Sequence, residues 1–427
     1  MSFNTISVIG LGYIGLPTAA MFASRKKKVI GVDINEGTVN TINRGEIHIV
    51  EPELDILVQS AVNQGYLKAS TTPEPADAFL IAVPTPFKPC ASGEIPEPDL
   101  KYIEAASKSI APVLKKGDLV ILESTSPVGA TEKMAGWLAE ARTDLTFPLS
   151  NKESHGEDYD INIAHCPERV LPGHVVRELV ENDRVIGGLT NKCSLAAVEL
   201  YKMFVQGDCV ITSARTAEMA KLTENSCRDV QIAFANELSV ICDELNIDVW
   251  ELIELANRHP RINILQPGPG VGGHCIAVDP WFIVSKTPRQ AQLIHTARKV
   301  NDAKPKWVID KIKLAITDIL VANTNKTVKD ITIACLGLAF KPNIDDLRES
   351  PALNITQEIS ALHPGLLIAV EPNITSLPLA LSKNVELMDL GTAINIADIV
   401  VILVDHKEFL GLEIENNKQV IDTKGII

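Results

Sequence analysis

The sequence predicts an α/β protein of two doubly wound domains joined by a central helical region with a long helix. Three observations predict it. Short apolar runs alternate with segments of helical length in the first part of the chain, and again past Thr327. From Asp208 to His259 there is neither Gly nor Pro, which fits one long helix followed by a second. A glycine triplet stands directly after the first apolar run, where a strand would turn into a helix. The boundaries expected are 1–212 for the first domain, 213–318 for the helical centre and 319–427 for the last domain.

Thr5 to Ile9 reads as a short buried strand, and Gly10-Leu11-Gly12-Tyr13-Ile14-Gly15 follows at once. Leu16 to Arg25 reads as a helix, and Val29 to Asp33 as a second strand ending in an acid 18 residues beyond Gly15. Each part has a physical purpose in a Rossmann-like domain. Gly10 permits the tight turn, Gly12 lets the backbone approach a pyrophosphate, and Gly15 lets helix and strand pack closely. The helix N-terminus offers N–H groups to phosphate. Asp33 accepts hydrogen bonds from a ribose diol and repels a 2′-phosphate, so NAD is expected rather than NADP. Gly10, Gly12, Tyr13, Ile14, Gly15 and Asp33 are thus candidate cofactor-binding residues. Ala78–Val83 and Leu119–Glu123 read as further strands, and ligands of such sheets sit beyond the strand C-termini. That makes Thr85, Thr125 and Thr131 cofactor-side candidates, with ordinary turn or cap hydroxyls as the competing reading. In the last domain, Ile331–Leu336, Leu366–Val370, Ile399–Val404 and Gln419–Asp422 read as parallel strands. Its Leu336-Gly337-Leu338-Ala339-Phe340 keeps one of three glycines, so a nucleotide there would need a different grip.

Composition narrows the function. The net charge is −14 and the pI about 5.2, which argues against nucleic acid or an anionic membrane as main partner. No apolar run approaches a membrane span, and the N-terminus has no basic segment leading into an apolar one. The eight cysteines form no CxxC pair, so neither a zinc site nor a redox pair is expected, and the thiols should be reduced in a cytosol. Among them Cys275 follows Gly272-Gly273-His274 in a stretch too rich in Gly and Pro for a helix or strand, and Asp279 lies four residues on. A thiolate beside NAD points to oxidation through a covalent thiohemiacetal. Lys221, Asn225 and Arg228 share one helix face with Glu218, a pattern for which a solvated face is the default reading. His259 and Arg261 flank Pro260, where a surface pair is the default.

Taken together, these residues resemble the UDP-sugar 6-dehydrogenases of the UDP-glucose/GDP-mannose dehydrogenase family, over essentially the whole chain. The marks are Gly10 to Pro17, Cys166-Pro167-Glu168-Arg169, Glu218 to Asn225, Gly272 to Cys275, and Phe340-Lys341-Pro342 with Asp346 to Ser350. His274 stands where the UDP-glucose enzymes usually have Ser, which turns the resemblance toward enzymes of N-acetylated sugars. The resemblance implies NAD as cofactor, a UDP-sugar as substrate and no metal. It implies that Cys275 is the nucleophile and that Lys221 and Asn225 stabilise an oxyanion. Asp279 would act on water with Thr125, and Glu168 would assist hydrolysis. Arg169, Val170, Lys221, Asn225, Arg228, His259, Arg261, Gly272 and Lys341 would hold the UDP-sugar, Arg261 reaching in from a neighbouring subunit. Arg348 would reach NAD from the last domain. A homodimer or higher homo-oligomer paired through the central helix, in the cytoplasm, is expected. Residues 88–96 and 150–159 read as variable loops without a role. Two competing classes stay open: a one-step hydroxyacid dehydrogenase, which needs no thiol, and a nucleotide-sugar sensor that kept the fold without turnover.

Overall fold

The structure, a computed structural model, describes residues 3–91, 93–148, 159–171, 173–273, 275–381 and 385–427. Loop 150–159 lies outside these residues except for Tyr159, as do Ser92 of loop 88–96 and His274. The chain divides into two compact units, Met1–Glu224 with Trp281–Lys286, and Asn225–Pro280 with Thr287–Ile427. Among the described residues no helix is long and apolar enough to cross a membrane.

The first unit is built on strands β1 (Thr5–Ile9), β2 (Lys28–Val32), β3 (Leu67–Ser70), β4 (Ala78–Ile81), β5 (Leu119–Leu122), β6 (Asn162–His165), β7 (Arg184–Gly188) and β8 (Cys209–Ser213). They form one sheet in the order β3-β2-β1-β4-β5-β6-β7-β8. All neighbours are parallel except β6 and β7, where Ala164 opposes Gly188. β1 and β4 are buried throughout or nearly so, the continuous apolar run of a strand covered on both faces. Ile6 and Val8 pack into one core and Ile9 into the other, as alternation along a strand requires. The sheet order reverses between β2-β1 and β4-β5, so Gly10 stands at a topological switch point. β4 and β5 end at Ile81 and Leu122, short of the expected Val83 and Glu123. The residues beyond them leave the ladder at the edge where ligands bind. β3, β6, β7 and β8 were not foreseen. β8 shows why: its short Cys-Val-Ile-Thr-Ser run is half-buried or exposed and opens the Gly- and Pro-free stretch that reads as helix.

The second unit carries β9 (Ile333–Leu336), β10 (Leu367–Val370), β11 (Val385–Leu387), β12 (Ile399–Ile402) and β13 (Gln419–Asp422) in the all-parallel order β11-β10-β9-β12-β13. Its first turn repeats the first unit's. Gly10 N–H donates to Val32 O over 2.8 Å, and Gly337 N–H donates to Val370 O over 2.8 Å. Both glycines have φ of +92°, where a side chain would be strained. In each unit the acid just past the second strand receives the N–H groups of that turn: Asp33 takes Leu11, and Glu371 takes Leu338 and Ala339. The difference is burial. Asp33 is partly exposed, whereas Glu371 is buried and also bonded to Asn373 and to His406 Nε2. A carboxylate so occupied has little capacity left for a ribose diol.

The long helix Ala214–Leu245 and the helix Gln292–Ala322 carry most of the buried charge of the second unit. Arg298 is 2% exposed and donates to Asp229 Oδ1 over 2.6 Å, and it also pairs with Asp302. Asn301 donates to the same Asp229, and Asn236 donates to Asn301. Lys304 donates to Ser239 Oγ and lies over the Trp307 ring, and its burial pushes the amine down to about 7. Asp229, Asn236 and Ser239 thus lie on a helix face whose polar spacing resembles a solvated one. It is buried because the facing helix supplies a partner to each of the three.

Burial alone would raise the Glu371 carboxyl, but the donors from His406, Leu338 and Asn373 hold it down at about 2, from an ordinary 4.5. A depressed carboxyl contributes stability that is present above its unfolded value and lost as pH falls through the folded one. Urea unfolding of the second unit's transition should therefore lose on the order of 3 kcal/mol between about pH 5 and pH 2. Glu371→Gln should flatten that slope and lower stability at pH 7; an unchanged slope would refute the assignment.

Candidate active site

The first unit offers a cradle for a dinucleotide at the end of β1. A Cβ on Gly10 would lie 2.5 Å from Ala82 O, and one on Gly15 would lie 1.8 Å from Gly10 O. A Cβ on Gly12 would meet nothing within 4 Å. Gly10 and Gly15 thus make the turn, and Gly12 leaves backbone open to a ligand. The helix Gly15–Ser24 begins at Ile14 with no side-chain cap and no acid in its first turn. Such a start leaves N–H donors and the positive end of the helix for an anion. Tyr13 is exposed at its rim. Asp33 receives Leu11 N–H on Oδ2 and Asn35 N–H on Oδ1, and each oxygen keeps a lone pair.

Beyond β4, the Thr85 hydroxyl is buried with no partner among the described residues. Thr125 is half-buried after β5. Thr131 is buried and its hydroxyl is donated to Glu218, which also receives the N–H groups of Thr131 and Gly129. Glu218 is therefore not part of a solvated face: burial raises its carboxyl, and three donors offset part of that cost.

Glu168 is buried. Its Oε2 lies 2.7 Å from Arg184 and its Oε1 receives the N–H of Arg169. Arg184 stacks on Tyr201, whose hydroxyl donates to Glu123 over 2.9 Å. Burial and the nearby Glu168 push Glu123 up to about 7. Sequence reading missed Glu123 and Arg184, which sit at strand ends without a motif. The Arg169 guanidinium pairs with Glu224, and Val170 packs against the core. Lys221 is half-buried on the long helix, one turn before Asn225.

In the second unit, Asn225 Nδ2 donates to Asp279 Oδ2 over 2.5 Å, and Asp279 N–H donates to Cys275 O over 2.8 Å. Asn225, Asp279 and the Cys275 backbone are thereby brought together, with Asp279 buried and Cys275 exposed. Exposure does not single this thiol out, because Cys90 and Cys227 are exposed as well. Its neighbours do. A Cβ on Gly272 would lie 2.4 Å from Glu349 O and 2.9 Å from Phe340, so the loop packs tightly where Lys341 begins. Lys341 is half-buried, and Arg348 is exposed with its guanidinium on Asp346. Arg228, His259 and Arg261 are exposed, and His259 Nδ1 receives Arg261 N–H.

Three profiles of one family cover most of the chain: its NAD binding domain over residues 4–205, its central domain over 215–303 and its UDP binding domain over 334–427. The chain belongs to the UDP-glucose/GDP-mannose dehydrogenase family. A Yersinia pestis UDP-N-acetyl-D-mannosamine dehydrogenase is 66% identical over all of both chains. An NDP-N-acetyl-D-galactosaminuronic acid dehydrogenase of Ralstonia nicotianae is 62% identical over 100% of this chain and 97% of that one. The solved UDP-D-ManNAc dehydrogenase of Pyrococcus horikoshii superposes with a TM-score of 0.85 at 38% identity, covering 99% of this chain and 96% of that one. The protein is thus an NAD-dependent dehydrogenase with a UDP-sugar-binding domain. The open turn at Gly12, the uncapped helix and the unpartnered Thr85 hydroxyl fit NAD in the first unit.

Gly12→Ala should leave the melting temperature within about 2 °C but weaken NAD binding at least about tenfold, because the methyl fills ligand space alone. Gly15→Ala should lower the melting temperature by several degrees, roughly 4 °C or more, because its methyl meets backbone. Differential scanning calorimetry with NAD titration separates the two; equal behaviour would contradict the geometry.

Proposed function

We propose that this dehydrogenase oxidises UDP-N-acetyl-D-mannosamine to UDP-N-acetyl-D-mannosaminuronate in two steps, with Cys275 as nucleophile. The observation that carries the reading is the meeting of Asn225, Asp279 and the Cys275 backbone at an exposed thiol. The Yersinia pestis and Pyrococcus horikoshii relatives support the sugar.

NAD held at the Gly10–Gly15 turn would supply the hydride acceptor for both oxidations. At the first, the sugar's primary alcohol loses a hydride and a proton and becomes an aldehyde. Cys275 Sγ adds to the aldehyde carbon, giving a thiohemiacetal that keeps the aldehyde from escaping. Loss of a second hydride, together with the thiohemiacetal's hydroxyl proton, leaves a thioester. Water adds to it, the C–S bond breaks, and the thiol and the uronate are released. Lys221 and Asn225 supply a cation and an amide dipole for the oxygen on which charge develops. Asp279 with Thr125, and Glu168 near the end of β6, serve water attack. Glu168 is held in place for this role by Arg184, which donates to its Oε2.

The UDP-sugar is held by Arg169, Val170, Arg228, His259, Arg261, Gly272 and Lys341, whose guanidinium and ammonium groups suit a diphosphate. Arg261 would come from a second subunit of a homodimer, and Arg348 would reach NAD, on leaving Asp346. The first, helical and last segments, 1–212, 213–318 and 319–427, are read as NAD-binding, pairing and UDP-sugar-binding parts. The product suits synthesis of enterobacterial common antigen in the cytoplasm.

Steady-state NADH formation with the UDP derivatives of N-acetylmannosamine, N-acetylgalactosamine, N-acetylglucosamine and glucose tests the sugar. The mannosamine compound should give the highest kcat/KM by at least about tenfold. Preference for UDP-glucose would overturn the assignment. About two NADH per sugar supports trapping at Cys275 and one NADH sinks it. Cys275→Ala should abolish acid formation and leave NAD affinity intact.

A further inference from the structure

Cys275 follows a stretch whose Pro-Gly-Pro segment has almost no backbone donors of its own. Across Pro267-Gly268-Pro269 the two prolines carry no N–H, so the Gly268 N–H is the segment's single backbone donor. All three residues are buried. A buried N–H must find an acceptor, and this one donates to Asn236 Oδ1 on the long helix over 2.9 Å. Asn236 is itself fully buried. Because its oxygen receives Gly268, its Nδ2 must face away, and it donates to Asn301 Oδ1 over 2.8 Å. That in turn fixes the Asn301 amide, which donates to Asp229 Oδ1 and Asp229 O over 2.8 and 3.0 Å. The chain of amides ends on a carboxylate neutralised by Arg298. Every donor points the same way, so no amide can turn over without leaving two like atoms facing each other.

The anchor is close to the site along two routes. Asn236 sits 11 residues beyond Asn225 on the same helix, about three turns on. Gly268 lies seven residues before Cys275, and the intervening Gly270 and Gly272 pack against Pro351. Asn257 makes a second clamp on the preceding stretch, exchanging hydrogen bonds with Ile264 N and O.

We infer that Asn236 is a positioning residue for Cys275: it captures the one N–H of the Pro-Gly-Pro segment, and the Asn301–Asp229–Arg298 chain fixes its orientation. The inference rests on the reading of Cys275 as nucleophile, but its physical part does not. The Gly268 amide should exchange with solvent at least about a hundredfold more slowly than an open loop amide in the wild-type protein. Fast exchange there would overturn the proposal without any variant. Asn236→Ala should release the amide and reduce kcat per folded enzyme about tenfold to a hundredfold, with KM for NAD within about twofold. The rate of Cys275 alkylation by iodoacetamide in the ligand-free enzyme should change at least about fivefold. Asn301→Ala leaves Gly268 its acceptor and frees the Asn236 amide to turn, so its losses should be smaller. A merely structural role would lower melting temperature while leaving kcat and alkylation of the folded protein as in the wild type, and that result refutes positioning. If Cys275→Ala still forms the acid, the nucleophile reading fails, and the amide exchange of Gly268 still decides whether Asn236 holds the loop.

Discussion

The tightest constraint in the first unit is the approach of two backbone segments at the end of β1. Gly10 and Gly15 come so close that no side chain fits on either, and the approach lets the helix Gly15–Ser24 start at the switch point of the sheet. From it follow the exposure of N–H groups at the helix start and the reach of Asp33 to the turn. The apolar strands on either side hold this geometry because they are buried on both faces and cannot slide without moving a core residue into the wrong layer.

The net charge of −14 describes neither unit's interior. Several acids are buried as acceptors for particular donors. Glu218 binds Gly129 and Thr131, Glu168 binds Arg184 and the Arg169 N–H, and Asp229 binds Arg298 and Asn301. Each carboxylate stabilises a segment through several hydrogen bonds, and removing one partner of such a buried pair costs about 3–5 kcal/mol. Buried acids set local shape here, and the surplus of charge is no guide to what a pocket accepts. An acidic protein therefore binds NAD through helix N–H groups without contradiction.

Much of this was legible in the amino acids. The glycine triplet, its strand, helix and acid specified the first turn, because each residue there answers a steric demand that few alternatives meet. The glycine- and proline-free stretch specified the long helix Ala214–Leu245. β3, β6, β7, β8 and β11 escaped, being short and, for β3, β8 and β11, partly exposed. Glu218 escaped for another reason: helix spacing gives a face but not what covers it, and its partners lie 87 and 89 residues away. The same holds for Asn236, whose partner Asn301 is 65 residues distant. The proline–glycine–proline run was visible as an irregular loop, and its lone N–H was a demand for an acceptor, but nothing local named the acceptor.

A chain made of two similar sheets has a sorting problem: each carries a crevice with a glycine turn and an acid past its second strand. The two differ in how much of that acid is left over. Asp33 keeps free capacity at a partly open mouth, while Glu371 is consumed from within by His406, Asn373 and the turn itself. The acid of the second turn is thus engaged from within at the point where that of the first keeps acceptor capacity, and a nucleotide in the second unit must be gripped by other groups. The same turn is thereby tuned to two different tasks by one histidine, whose bond to Glu371 removes an acceptor that Asp33 keeps.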